Sequence, residues 1–163
     1  MPQTFTAVYE SPIGSIEIKA EGKDIVEVNF VEKSGLMRPP GASAAGGPEA
    51  LRACLSQLEQ YFRGKRTSFS LPLKLEGTAF QKKVWAALLR VPFGKTTTYG
   101  AIAAALGNKR AGRAVGGANH RNPASIIVPC HRVIGSDGRL TGYGGGLWRK
   151  EWLLDHEKKH ARD

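Results

Sequence analysis

The sequence predicts a mixed α/β protein in two domains: an N-terminal α/β domain with a small antiparallel sheet (residues 1–76), then a mostly helical C-terminal domain (residues 77–163). Three observations predict it. Short β-branched or alternating runs fill the first thirty residues, apolar residues recur at helical spacing from residue 49 onward, and charge divides where the pattern does. Residues 1–76 hold nine Lys or Arg and nine Asp or Glu, so the net charge of +10 sits entirely in the second part, with fifteen basic residues against five acidic ones. A basic surface kept only for solubility would be spread out; this asymmetry points to a polyanion, nucleic acid first.

The elements follow in order. Residues 6–9, 15–19 and 25–30 read as strands of an antiparallel meander, broken by Pro12-Ile13-Gly14 and Glu21-Gly22-Lys23. Residues 34–48 are small, Gly/Pro-rich and aperiodic, which predicts a flexible connection. Leu51, Cys54, Leu55, Leu58, Tyr61 and Phe62 then mark a helix over Glu49–Phe62, with Cys54 on its apolar stripe as a small buried hydrophobe. In the second domain, Phe80, Val84, Trp85 and Leu88 face inward from a helix over 80–89 that stops at Val91-Pro92-Phe93-Gly94. Thr98 can cap a helix over 99–106, Gly107-Asn108 can turn the chain, and a second helix can run over 110–120, which is helix-turn-helix spacing.

Composition excludes several classes. With 41% hydrophobic and 23% charged residues the chain is neither disordered nor fibrous. Its apolar runs fall far short of the roughly 18 residues of a membrane span, and MPQTFTAVYESPIG lacks a secretion signal. Cys54 and Cys130 make no disulfide framework, so both are expected to be thiols in a reducing, cytoplasmic compartment, or the nucleus in a eukaryote. Gly94-Lys95-Thr96 ends like a phosphate-binding loop, but Leu89 stands where that loop needs a glycine. Gly142 to Gly146 lacks the strand and helix of a dinucleotide unit. His156-Glu157-Lys158-Lys159-His160 matches the zinc-protease pattern with two His one turn apart, yet only Asp163 could supply a third ligand downstream, so neither metal nor cofactor is expected.

Two segments remain unusual. The helix over 110–120 carries Gly112, Gly116 and Gly117, each costing about 1 kcal/mol relative to Ala, so something approaches that face closely. A packed neighbouring helix or the backbone of a nucleic acid would each explain it, and Lys109, Arg110, Arg113 and Arg121 favour the second. The other is Pro129-Cys130-His131-Arg132-Val133, a polar triplet inside an apolar run that begins at Ile126-Ile127-Val128. His131 and Arg132 would raise the thiolate fraction of Cys130, making it a candidate nucleophile; the alternative is an inert buried thiol beside a structural His. In an extended backbone Cys130 and His131 point to opposite faces, so a relay between them needs a water or a turn.

The run Asn122-Pro123, Pro129-Cys130-His131-Arg132-Val133-Ile134, Gly138, Gly142-Tyr143, Gly145-Gly146, Lys150, Leu153-Leu154 and Glu157 resembles the 6-O-alkylguanine-DNA alkyltransferases. So do Gly77-Thr78, Phe80-Gln81, Val84-Trp85, Gly94, Thr96, Thr98-Tyr99-Gly100 and Arg113-Ala114-Val115-Gly116, in matching order and spacing over about residues 75 to 157. The resemblance implies a ribonuclease-H-like N-terminal domain and a winged-helix-like C-terminal one. It implies direct, single-turnover transfer of an alkyl group from 6-O-alkylguanine, and from 4-O-alkylthymine, in DNA to Cys130 after base flipping. His131 would act through a water as the base, Glu157 would orient it, Asn122 would brace the turn, and Tyr99 would assist the leaving guanine. Arg113 would fill the gap in the base stack, with Thr98, Ala114, Gly116, Gly117 and Arg132 at the DNA and the glycine-rich helix in the minor groove. Pro129, Val133, Tyr143, Gly144 and Trp148 would line the pocket. The expected partner is double-stranded DNA, the expected solution state a monomer, with cooperative assembly on DNA left open.

The chain also departs from the pattern. Gly144 stands where many relatives carry Ser, which removes a hydroxyl from the pocket, and the zinc-binding cysteines of some relatives are absent. Two other functions are weighed: a thiol hydrolase, for which no oxyanion-hole signature is present, and a non-catalytic damaged-DNA-binding module, for which Cys130 would be incidental.

Overall fold

The computed structural model describes residues 3–32 and 47–161. The chain forms two compact units, Met1–Leu75 and Glu76–Asp163. The connection expected over 34–48 lies outside the described residues apart from Gly47 and Pro48.

In the first unit β1 (Thr4–Ser11), β2 (Gly14–Glu21) and β3 (Asp24–Val31) form an antiparallel meander in the order β1-β2-β3. Each strand runs a few residues beyond its β-branched centre, because ladder bonds continue into the polar turns, with Thr4 opposite Glu21 and Ser11 opposite Gly14. Alternation puts Ile16, Ile18 and Ala20 on the buried face. Helix α1 (Glu49–Phe62) packs on all three strands and buries Leu51, Cys54, Leu58 and Tyr61. Cys54 is fully buried, and burial pushes its thiol up to about 12, as befits a packing residue.

The second unit is built on helices α2 (Ala79–Leu88), α3 (Tyr99–Ala105), α4 (Gly112–His120) and α5 (Leu147–His160). Thr78 starts α2 with a reciprocal cap: its hydroxyl accepts from the Gln81 amide at 3.1 Å and the Gln81 side chain accepts from the Thr78 N–H at 2.9 Å. Helix α2 packs against both α3 and α4, and its Trp85 donates from the indole N–H to Ala118 O at 2.9 Å. The two-residue strands β4 (Thr97–Thr98) and β5 (Val133–Ile134) pair in parallel, so the start of α3 lies beside the segment that follows Cys130. Periodicity does not predict α5. Its buried positions are Lys150, Leu153, His156 and Glu157, and three polar residues out of four hide an inward face from any apolar count. No helix among the described residues is long and apolar enough to cross a membrane.

Candidate active site

The chain reaches Cys130 through a tight turn rather than a strand. Ile126 has φ +73, a conformation a β-branched residue adopts only under constraint, at a cost of about 1–3 kcal/mol. Asn122 supplies that constraint. Its side-chain oxygen accepts from the Ala124 N–H at 2.9 Å and its amide donates to Val128 O at 2.8 Å, tying both ends of the turn to one side chain. Cys130–Arg132 then forms a single 3-10 turn, which corrects the extended backbone expected there. The apolar run is interrupted because these turns take its backbone bonds, with Cys130 N–H donating to Val128 O at 2.7 Å.

Cys130 and His131 are both buried, and α5 brings Glu157 to them across 26 residues of sequence. His131 Nε2 and Glu157 Oε2 are 2.6 Å apart. Burial would raise the Glu157 carboxyl, but His131 and Arg132 together hold it well below the usual carboxylate range. An ionised carboxylate can only accept, so Nε2 carries the proton and Nδ1 presents a lone pair. His131 Nδ1 is buried and has no hydrogen-bond partner among the described residues. Burial keeps the imidazole pKa below its ordinary value, against the pull of Glu157, so the ring is neutral and Nδ1 is free to take a proton. The Cys130 thiol is raised by burial, a shift opposed by the Asn122 amide, the Lys150 ammonium and the backbone N–H groups of Cys130 and His131. The thiol therefore needs a base to ionise near neutrality, and one stands in the next residue.

Glu157 is held from several sides. Arg132 donates to it from Nε at 2.7 Å and Nη2 at 3.0 Å, and the Gly94 N–H points at it from 3.4 Å. Gly94 has φ +79, and a Cβ there would lie 2.6 Å from Ala161 Cβ, so only glycine fits between the α2–β4 turn and the end of α5. Arg132 also donates to Val91 O at 2.6 Å and its guanidinium sits 5.8 Å from the Phe93 ring centroid. This corrects the expectation that Arg132 faces DNA: the 3-10 turn carries its side chain inward, where it serves the carboxylate. Trp148 is 57% exposed, under the Arg149 guanidinium, because Lys150, Leu153 and Glu157 take the inward face of α5 and leave position 148 at the surface.

Around the thiol, Pro129, Val133 and Tyr143 are buried, while Gly144 is exposed and a Cβ there would meet nothing within 4 Å. Thr98 caps α3, its hydroxyl accepting from the Ala101 N–H at 3.0 Å, and Tyr99 shares a hydrogen bond with the Thr141 hydroxyl at 2.7 Å. On α4, Val115, Ala118 and Asn119 face inward; Arg113, Ala114, Gly117 and His120 are exposed, as is Arg121 just beyond. The packing explanation for the α4 glycines fails for two of three. A Cβ at Gly112 or Gly117 meets nothing within 4 Å, and one at Gly116 meets only the Tyr99 ring at 3.8 Å. Two contributors escape sequence reasoning: Asn119, whose amide donates to Cys130 O at 3.3 Å and ties α4 to the reactive turn, and Lys150, taken up below. The zinc-protease pattern dissolves, since Glu157 faces His131 while the His156 ring stacks on Trp152 and lies beside His160. Among the described residues no group of three or more His, Cys, Asp or Glu could hold a metal ion.

Comparison with known proteins follows this geometry. Residues 79–159 match the model of the 6-O-methylguanine DNA methyltransferase DNA-binding domain, and residues 5–75 that family's ribonuclease-like domain. The chain belongs to the 6-O-methylguanine DNA methyltransferase family. Within it, the methylated-DNA--protein-cysteine methyltransferase of Methanosarcina acetivorans is 49% identical over 94% of this chain and 97% of its own. The Mycobacterium bovis protein of the same name is 45% identical over 93% and 91%. Among solved structures, the Mycobacterium tuberculosis O6-methylguanine methyltransferase matches with a TM-score of 0.84, 42% identity, and coverage of 98% of this chain and 96% of that one. The mycobacterial protein solved in complex with DNA matches with a TM-score of 0.82 and 45% identity over 94% and 92%. This member of the 6-O-methylguanine DNA methyltransferase family thus matches both of the family's domain models and relatives similar over nearly their whole length.

Proposed function

We propose that the protein repairs DNA by moving the alkyl group of 6-O-alkylguanine, and of 4-O-alkylthymine, irreversibly to Cys130. One observation carries the reading: a buried thiol followed by a neutral imidazole whose far nitrogen is fixed by an ionised carboxylate and whose near nitrogen has no partner among the described residues. A water bridging Sγ and Nδ1 passes the thiol proton to His131. The thiolate attacks the alkyl carbon, an S–C bond forms as the C–O bond to guanine breaks, and the electron pair leaves with the purine. Tyr99 donates a proton to the departing guanine, after exchanging its Thr141 hydrogen bond for the purine. The imidazolium left behind is stabilised by Glu157. The thioether product has no leaving group, so each molecule acts once.

A base stacked in duplex DNA hides its alkyl group from a buried thiol, so the nucleotide must be extruded at a cost of a few kcal/mol. Helix α4 fits that task. The exposed Lys109, Arg110 and Arg121 that flank it can neutralise phosphates, and Arg113 can enter the stack behind the flipped base. Its bare glycines let the helix backbone come close to the sugar-phosphate walls of the minor groove. Both cysteines are thiols, and Cys130 must stay one, which suits a reducing intracellular compartment. The test is stoichiometry. Protein mixed with excess duplex carrying labelled 6-O-methylguanine should take up label once per molecule and gain the mass of one methylene on Cys130. Repeated turnover, or binding without transfer, would overturn the reading.

The glycines give a second test. Gly117→Ala should raise folding stability by about 0.5–1 kcal/mol, because the new Cβ meets nothing in the protein and helix propensity improves. The same methyl should weaken duplex binding. Thermal unfolding and a DNA titration read the two effects separately, and unchanged DNA affinity would remove α4 from the interface.

A further inference from the structure

Lys150 is fully buried in α5, where an ammonium is ordinarily found only with a carboxylate. None of the ion pairs among the described residues includes it. Its Nζ instead donates to Val133 O at 2.5 Å and Thr141 O at 3.0 Å. Both carbonyls belong to the reactive region: Val133 follows the Cys130–Arg132 turn, and Thr141 holds the Tyr99 hydroxyl. Resting on the proposed alkyl transfer, we infer that Lys150 is a positioning residue for that reaction, its ammonium clamping the Val133 and Thr141 carbonyls and serving as the fixed counter-charge of the Cys130 thiolate.

Charge bookkeeping in the pocket supports this. The carboxylate of Glu157 is already shared between His131 and Arg132, and Tyr143 is kept neutral, its hydroxyl pKa pushed well up by burial first and by Cys130 next. Lys150 acts on the thiol and Arg149 on Tyr143, each lowering the cost of a negative charge there. The coupling is mutual: burial lowers the Lys150 pKa and the Cys130 thiolate raises it. Ionising the thiol thus supplies the negative charge the ammonium otherwise lacks, and each charge stabilises the other.

The experiment measures thiolate without DNA. Alkylation of Cys130 by iodoacetamide is followed against pH in wild type, Lys150→Gln and Lys150→Arg, with folding checked by circular dichroism and transfer from lesion-bearing duplex run alongside. Lys150→Gln keeps an N–H donor for the carbonyls but no charge, and should slow iodoacetamide alkylation at neutral pH by about tenfold, with the rate recovering at higher pH. Lys150→Arg keeps the charge and should stay nearer the wild-type pH profile. Profiles that superimpose for wild type and Lys150→Gln overturn the inference, even if transfer from DNA falls. Absence of transfer by wild type overturns the alkyl-transfer reading and leaves the thiol result standing. Should Lys150→Gln not fold, wild-type protein labelled with 15N-lysine decides: the Lys150 ammonium titration should move to lower pH in Cys130→Ser, and an unmoved titration overturns the inference.

Discussion

Cys130→Ser protein should bind lesion-bearing duplex with near wild-type affinity and transfer at least about 10³-fold more slowly, to the point where no label reaches the protein. The expectation follows from what surrounds the sulfur. The thiol is already raised by burial and ionises only with the help of His131, Asn122, Lys150 and the local N–H groups. A hydroxyl starts far higher, and the same neighbours cannot bring it within reach of an imidazole that is itself kept neutral. On the proposed reading DNA affinity rests on other residues, since Arg113, Ala114 and Gly117 are exposed on α4 while Cys130 lies inside. The fold should persist, since the Asn122 amide and backbone N–H groups that face the sulfur can serve an oxygen equally well. Quenched-flow transfer and a binding titration on one preparation check both halves. Transfer at a wild-type rate would place the acceptor elsewhere, and loss of binding in step with transfer would make Cys130 a structural residue.

How much of this the sequence discloses depends on what kind of signal each element sends. The meander and α1 are legible because their buried faces are apolar and periodic, Ile16, Ile18 and Ala20 on one strand and Leu51, Cys54 and Leu58 on the helix. Helix α2 is legible for the same reason, α3 through Thr98 as its cap, and α4 through the spacing after the Gly107-Asn108 turn. The reactive centre is legible as a group of residues but not as a shape. The backbone of 124–132 is bent by long-range demands, an Asn122 side chain bridging Ala124 and Val128 and a positive φ at Ile126, and local propensity would never choose that conformation for isoleucine. Helix α5 is the least legible element because function occupies its inward face. Lys150 and Glu157 read as surface charges on any hydropathy scale, yet both are buried, each satisfied by partners more than eight residues away in the chain. Arg132 illustrates the same point, taken for a DNA-facing cation and found inside. Which face of a short turn or a helix end looks inward is decided by tertiary packing, and a residue's type alone carries no record of it.

Glu157→Gln should slow alkyl transfer by about 10²- to 10⁴-fold while leaving affinity for lesion-bearing duplex nearly intact. The carboxylate accepts from His131, twice from Arg132, and faces the Gly94 N–H. A glutamine offers one oxygen and one NH₂ to that ring of donors, so an amide N–H must face either the guanidinium or the imidazole. If it faces His131, it donates to Nε2 and moves the ring proton to Nδ1, the nitrogen that must take the proton from the thiol. If it faces Arg132, the guanidinium is left buried with its charge uncompensated. Either way the imidazolium loses its counter-ion, and removing one partner of a buried pair costs about 3–5 kcal/mol of stability. The sign of the pH effects follows. Glu157 and His131 both have folded pKa values below their ordinary ones, so the stability they confer is present at neutral pH and is lost as pH falls below the ordinary imidazole range and then below the carboxylate range. Without its base the variant must obtain thiolate by simple ionisation, so its transfer rate should climb about tenfold per pH unit up to the thiol pKa, whereas the wild-type rate changes less over the same interval. Single-turnover transfer at saturating duplex across that range, with an equilibrium DNA titration at each pH, separates the effects. Equal losses of rate and affinity, or parallel pH profiles for variant and wild type, would show that Glu157 holds the fold together without directing the proton on His131.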